Sequence, residues 1–334
     1  MSDPNYYTVL WICALTTEYV AAQTFLVEEH PKPRPGSIAI SDTNTYTLGS
    51  ISGHRVVLAV LPEGEYGVGS AASVITNILR SFPNIRIGLM VGVGGGAPTS
   101  ANDIRLGDVV VSSPKDGHGG ILHYDLGKEV QDSGFRQTGF VDQPPTVVRT
   151  AVSALKAKHI RKGHHIIENI ENVLKENPRL RRRGYACPAS ESDRLYKSDV
   201  VHPASGESCD AYCGMKPTNL VARQPRDDED DNPAIHYGLI ASGNKVIKDA
   251  ILRDKLAQKE GVLCFEMEAA GIMNRFPCLV VRGICDYSDS HKNKGWQGYA
   301  AMTAAAYAQE LLMEIPSREI EREERLAFVI EQRE

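Results

Sequence analysis

No apolar stretch in this chain is long enough to cross a bilayer. Ile87–Val93 and Val109–Val111 are interrupted by Gly, Asp or Arg well short of the roughly 20 residues a membrane helix needs. There is no secretory leader pattern either: Met1-Ser2-Asp3-Pro4-Asn5 has no basic region followed by an apolar core, which points to the cytoplasm. A paired C-x-x-C is missing, and the 7 cysteines are odd in number and scattered, fitting reduced thiols better than a disulfide framework. An excess of positive charge is absent too. The formal net charge is -5, so nucleic acid is not indicated as a partner. We find no internal repeats. What remains is 334 residues with 42% hydrophobic and 24% charged side chains, the composition of a globular protein able to bury a large core.

The patterning is that of an α/β protein. Thr8–Leu15 reads as a buried strand followed by a helix beginning at Thr16-Thr17-Glu18. Thr45–Leu48 and Arg55–Leu61 read as paired strands, and Ser70–Phe82 carries apolar residues at helical spacing. Strand Ile85–Val91 runs into Gly92-Val93-Gly94-Gly95-Gly96, and a further strand is expected over Leu106–Ser112. From about 149 to 234 the text turns basic, then rich in Cys, His and Pro, then acidic at Arg226–Asp231; this reads as an insertion over the core. Regular patterning returns with strand Ile235–Ser242, a helix around Glu268–Arg275, strand Cys278–Ile284 and helix Tyr299–Met313. Residues 314–334 form a charged tail or connector.

Gly92-x-Gly94-x-x-Ala97 formally matches a dinucleotide-binding fingerprint, but that motif needs a helix directly after the glycines. Pro98, Thr99, Ser100 and the strand from Leu106 leave no room for one. Two readings stay open: a glycine turn without chemistry, or a stretch where Gly94 and Gly95 let a ligand approach the backbone closely.

Four segments then occur in a telling order: Ala14-Leu15-Thr16-Thr17-Glu18; Gly92–Pro98 with Arg105–Ser112; Phe265-Glu266-Met267-Glu268-Ala269-Ala270; and Arg282-Gly283-Ile284-Cys285-Asp286. Together they resemble the nucleoside phosphorylase and nucleosidase superfamily, whose best-known hydrolytic branch is the methylthioadenosine nucleosidases. Asp286–Asn293 is similar to a fungal branch often fused to nucleotide-binding receptor domains, and the charged tail fits such a connector. The resemblance implies a three-layer α/β sandwich with a mixed central sheet, one domain over 7–313 with a long insertion, and a homo-oligomer. No cofactor and no metal is needed for the chemistry it implies.

That chemistry sets specific tasks. A purine anion leaves poorly, so an acid must protonate the base while the sugar gains oxocarbenium character. By resemblance the acid is Asp286, at a strand end, protonating N7 as a carboxyl kept neutral by burial. The alternative is a capping Asp. Glu268, inside an apolar segment, needs a partner; the resemblance supplies the ribose hydroxyls, with Met267 against the sugar, Phe265 beside it and Glu266 the less certain member. Glu18 matches the position of the glutamate that deprotonates water, against a plain first-turn Glu favoured by the helix dipole.

Phosphorolytic relatives bind phosphate with side chains where this chain has Met90, Val93 and Thr16-Thr17-Glu18. A phosphate dianion would meet apolar groups and a carboxylate there, so hydrolysis is favoured over a phosphorylase. Val246 and Ile247 fall where relatives hold the base, and Asn244 stands where methylthioadenosine enzymes have an aspartate. Arg181-Arg182-Arg183, Arg194, Lys197, Lys245 and Lys248 are cations suited to a 5'-phosphate chain, which favours ATP, with adenosine next; a solvated basic face is the plain alternative. A catalytically silent sensing module of a receptor is the reading from a different class. Cys187, His202, Cys209 and Cys213 are either a zinc site or reduced thiols, and their spacing favours the thiols.

Overall fold

The computed structural model describes residues 1–132, 134–203, 209–214, 216–227 and 230–331. Asp228 and Glu229 of the acidic run, and 332–334 of the charged tail, lie outside the described residues.

Strand β1 (Val9–Cys13) shows how the core is divided. Alternate side chains of a strand point to opposite faces. Val9, Trp11 and Cys13 therefore enter one apolar core, while Leu10 and Ile12 enter a second on the other side of the sheet. The strands that follow are β2 (Glu28–His30), β3 (Tyr46–Ile51), β4 (His54–Val60), β5 (Ile87–Gly96), β6 (Val109–Ser112), β7 (Ile121–His123), β8 (Gly127–Val130), β9 (Gly134–Gln137), β10 (Ile235–Ser242), β11 (Val262–Glu266) and β12 (Leu279–Asp286). The main sheet runs β11-β10-β6-β12-β5-β1-β4-β3-β2, with β7 on β10 and β8–β9 a separate hairpin. It is mixed: β1 is parallel to β4 and β5, and β12 is parallel to β5 but antiparallel to β6.

Helices cover both faces, giving the three-layer α/β sandwich that the family resemblance implied. The amphipathic Val68–Ser81 helix buries Val74, Ile75 and Ile78 on one face. On the other lies the Gln297–Glu314 helix, rich in alanine and buried along most of its length. It approaches β12 so closely that a Cβ at Gly283 would lie 1.8 Å from the Ala300 carbonyl oxygen. The segment read as an insertion over the core opens with two helices, Thr146–Lys162 and Ile166–Glu176. Their residues Leu155, Ile166 and Ile170 share the core of the Gln297–Glu314 helix. At its far end Arg226 grips buried Asp108 with both nitrogens at 2.6 Å, returning the chain to the sheet.

Two local expectations are corrected. The glycine run is not a turn: Gly92–Gly96 completes β5. Glycine weakens strands intrinsically, but partners on both sides hold it, β12 along Gly92–Gly95 and antiparallel β11 at Gly95 and Gly96. The helix expected around Glu268–Arg275 is only a single 3-10 turn, Ala269–Gly271. Gly271 weakens helical propagation and Pro277 stops it. No helix among the described residues is long and apolar enough to cross a membrane.

Candidate active site

The ends of β5, β11 and β12 meet where the resembling segments converge. They wall a cleft of about 360 Å³ lined by Glu18, Gly94, Gly95, Phe265, Glu268 and Asp286, among others. Beneath it lies a charge cluster built around Arg282, a residue read only as part of a motif in the sequence. Its side chain is 1% exposed, its Nη2 lies 2.5 Å from Glu266 and 3.4 Å from Glu268, and its Nη1 lies 3.9 Å from Glu18. Burial disfavours the guanidinium charge, but Glu266, Glu268 and Glu18 outweigh it and hold the pKa above the ordinary arginine value.

Glu18 enters from the first turn of the Thr16–Thr24 helix, and it does satisfy backbone donors as a first-turn Glu would. Its Oε2 accepts from the amides of Ala14 (2.7 Å) and Leu15 (2.9 Å), and its Oε1 accepts from Val93 across the sheet (2.8 Å). A carboxylate offers about four lone-pair sites. Three are taken, and one remains toward Arg282 and the cleft. Burial raises the Glu18 pKa, with Arg282 and these amides opposing the shift. Gly92 is required here, since a Cβ would sit 2.3 Å from Glu18 Oε1 and 2.6 Å from Arg282 Nη1.

Glu266 is buried and fully engaged: it accepts from the amides of Glu268 (3.1 Å) and Ala269 (3.1 Å) as well as from Arg282. It therefore shapes the turn that carries Glu268. Glu268 itself makes fewer contacts, from Met267 N at 3.3 Å and from Arg282. Burial and then the neighbouring Glu266 charge push its pKa up to about 8, so it is largely a neutral carboxyl near neutral pH, a form that can both donate to and accept from a hydroxyl.

Asp286 is the last residue of β12, and a register shift between Ile284 and Asp286 sets it beside Gly95. Such irregularities re-aim side chains at strand ends. Asp286 Oδ1 accepts from Ser288 N at 2.9 Å, and Lys292 Nζ lies 3.0 Å from Oδ2. The pocket thus supplies a cation as well as burial, which the sequence did not show. Ser288 takes φ 52, uncommon for a residue other than glycine, and its buried Oγ has no partner although Ser288 lines the cleft. A Cβ at Gly95 would meet Ser288 Oγ at 2.1 Å and Asp286 Oδ1 at 2.7 Å.

Met267, Val246, Ile247 and Phe265 all line the same cleft. Asn244 does not; its Oδ1 accepts from Val68 N at 3.3 Å, capping the helix start instead. Met90 is sealed in the core, while Val93 lines the cleft and gives Glu18 its amide. Lys245, Lys292 and Lys294 border the cleft. Arg194 lines a neighbouring one of about 550 Å³ that shares Asp286 and Lys292. Lys197, Lys248 and Arg181–Arg183 line neither, and Arg181 pairs with Glu171.

Arg282, Ser288 and Lys292 were missed as site residues. A signal existed for the first: an arginine inside Leu279–Ile284, an otherwise apolar strand, must be paired. Of the four candidate zinc ligands, His202, Cys209 and Cys213 converge and Cys187 does not; His291 takes the fourth corner.

No family model matches the chain. A nucleotide-binding leucine-rich repeat (NLR)-like protein of Hyaloscypha variabilis is 45% identical over 315 residues, covering 92% of this chain. The chain spans only 29% of that protein. Among solved structures, the 5'-methylthioadenosine/S-adenosylhomocysteine nucleosidase of Neisseria meningitidis, in complex with methylthio-immucillin-A, aligns with TM-score 0.55 at 17% identity over 92% of this chain and 98% of its own. The Helicobacter pylori nucleosidase of the same name aligns at 0.54 and 14%, over 93% and 99%. Futalosine hydrolase of Helicobacter pylori aligns at 0.50 and 15%, over 92% and 98%. At these identities what is shared is the fold.

Proposed function

From a chain that carries the fold of the nucleoside phosphorylase and nucleosidase superfamily, we propose a purine nucleosidase that hydrolyses the N-glycosidic bond of an adenine nucleotide or nucleoside. The observation that carries this reading is one cleft lined by Asp286, Glu268 and Glu18, three carboxyl groups in differing surroundings. In the proposed reaction a proton carried by Asp286 goes to the purine as the C1'–N9 bond breaks. Glu18 takes a proton from water, whose oxygen bonds to C1', and Glu268 holds the ribose hydroxyls. Val246, Ile247, Phe265 and Met267 supply apolar surface for base and sugar. Asn244 drops out of the proposal, because it faces the Val68 amide.

Water is favoured over phosphate as the nucleophile because Arg282, buried in the charge cluster, is engaged by the carboxyl groups of Glu266, Glu268 and Glu18. A phosphate dianion beside Glu18 would meet repulsion. ATP is favoured over adenosine because Lys245, Lys292 and Lys294 border the cleft and Arg194 lines its neighbour. A sensing module within a larger receptor is the second reading, favoured by the NLR-like relative of which this chain spans 29%.

The test is release of free base from ATP, adenosine, inosine and methylthioadenosine, with and without phosphate. Adenine released without phosphate is expected, and Asp286→Asn should abolish it. Strict phosphate dependence would make the protein a phosphorylase, and no base from any substrate would favour the sensing module. Neutralising Lys245, Lys294 and Arg194 should weaken ATP cleavage while adenosine cleavage persists; equal losses on both would remove the triphosphate reading.

A further inference from the structure

His202, Cys209, Cys213 and His291 come from two separate segments, yet their ligand atoms all lie within 4.8 Å of one another. His202 Nδ1 is 3.1 Å from Cys213 Sγ and 3.6 Å from Cys209 Sγ, which is 3.7 Å from His291 Nδ1. Around a tetrahedral zinc ion, with Zn–S about 2.3 Å and Zn–N about 2.0–2.1 Å, ligand atoms sit roughly 3.3–3.8 Å apart. Three of the separations are already near that range. The widest pair would close by about 1 Å, a side-chain adjustment.

The surroundings are those of a prepared ligand set. Cys209 and Cys213 are four residues apart, and the Cys213 amide donates to the Cys209 carbonyl at 3.0 Å, so one helical turn presents both sulfurs to the same side. His291 Nε2 lies 3.0 Å from the Val200 carbonyl oxygen. If that nitrogen carries the hydrogen, Nδ1 keeps the lone pair a metal needs, and a carbonyl partner of this kind is the usual support of a ligating imidazole. The ring also stacks on Tyr196 with centroids 3.8 Å apart, which fixes its plane.

We infer that His202, Cys209, Cys213 and His291 bind one structural Zn²⁺. Two thiolates and two imidazoles in tetrahedral array suit zinc, and four protein ligands leave no open position, so the ion is structural. It staples His202 and the Cys209–Cys213 turn to the loop that follows β12. That loop carries Lys292, directly after His291, and Lys292 contacts Asp286 at 3.0 Å. The zinc thereby anchors one wall of the candidate site without touching substrate.

The full chain, purified from zinc-containing medium, is expected to hold one zinc per chain by plasma mass spectrometry. Exchange with Co²⁺ should give the intense visible absorption of tetrahedral cobalt with thiolate charge-transfer bands. Cys209→Ser should lose those bands and most of the metal, whereas Cys187→Ser should keep both. Asp286→Asn should also keep full zinc, whatever its effect on base release, so the metal and the nucleosidase readings fail separately. A wild-type chain without zinc that takes up no Co²⁺ would overturn the inference, as would full metal content in Cys209→Ser. Should Cys209→Ser not fold, the wild-type stoichiometry and cobalt spectrum decide.

Discussion

Replacing Arg282 by Leu would leave Glu18, Glu266 and Glu268 buried around an apolar side chain. With an effective dielectric of about 20, the charges of Glu266 at 2.5 Å and Glu18 at 3.9 Å attract the guanidinium by roughly 7 and 4 kcal/mol, and the largely neutral Glu268 adds a hydrogen bond. Most of that is offset by the cost of taking the charged groups out of water, and removing one partner of such a buried set typically costs about 3–5 kcal/mol. In a chain of this size that lowers Tm by roughly 5–10 °C. The loss has a signature. Without the guanidinium the carboxylates bind protons more readily in the native state than in the unfolded chain, so the deficit should shrink as the pH is lowered below neutral. Adding Glu266→Gln should also recover part of the stability, because it removes the carboxylate in closest contact. Arg282→Lys should fall between the two, since an ammonium cannot span three carboxylates as a planar fork does. The assay is thermal unfolding by circular dichroism at neutral and mildly acidic pH. A Tm within two degrees or so of wild type, or a deficit that neither acid nor Glu266→Gln relieves, refutes the account of Arg282 as the counter-ion of the cluster.

Three further perturbations probe neighbouring parts of the site. Gly92→Ala places a methyl 2.3 Å from Glu18 Oε1, so the carboxylate must move, and misplacement by about 1 Å lowers turnover by about 10²-fold; unchanged kcat for base release would show that Glu18 position is immaterial. Glu18→Gln points an amide donor at one set of backbone donors, costing about 1–3 kcal/mol, and removes a base worth about 10²–10⁴ in rate; retained activity would return Glu18 to a capping role. The raised pKa of Glu268 means the native state keeps a proton that the unfolded chain releases above its ordinary 4.5. Its contribution is therefore fully present at low pH and is lost as pH rises toward about 8. Glu268→Gln should abolish that decline, and a wild-type stability curve of the same slope as the variant between those limits would contradict the assignment.

The sequence by itself placed the main strands and helices, and its family resemblance implied the layer architecture and the segments that form the candidate site. The unbroken apolar run Val9–Cys13, buried on both faces, and the helical spacing in Val68–Ser81 are local patterns, so this strand and this helix followed from them. The order of the four motif segments supplied Glu18, Glu268 and Asp286, and the fold brings them to one cleft. Tertiary structure alone decided what depends on neighbours distant in the chain. Pairing with β11 and β12 makes Gly92–Gly96 a strand although glycine disfavours one. The contacts of Arg282 with residues 264 and fewer positions away in sequence, from Glu18 to Glu268, make it the counter-ion of the site; sequence showed only that it needed a partner. Cys187 and His291 exchange places in the candidate metal set for the same reason. Spacing along the chain cannot show which imidazole the loop after β12 swings toward Cys209, because that distance is set by packing across 82 residues.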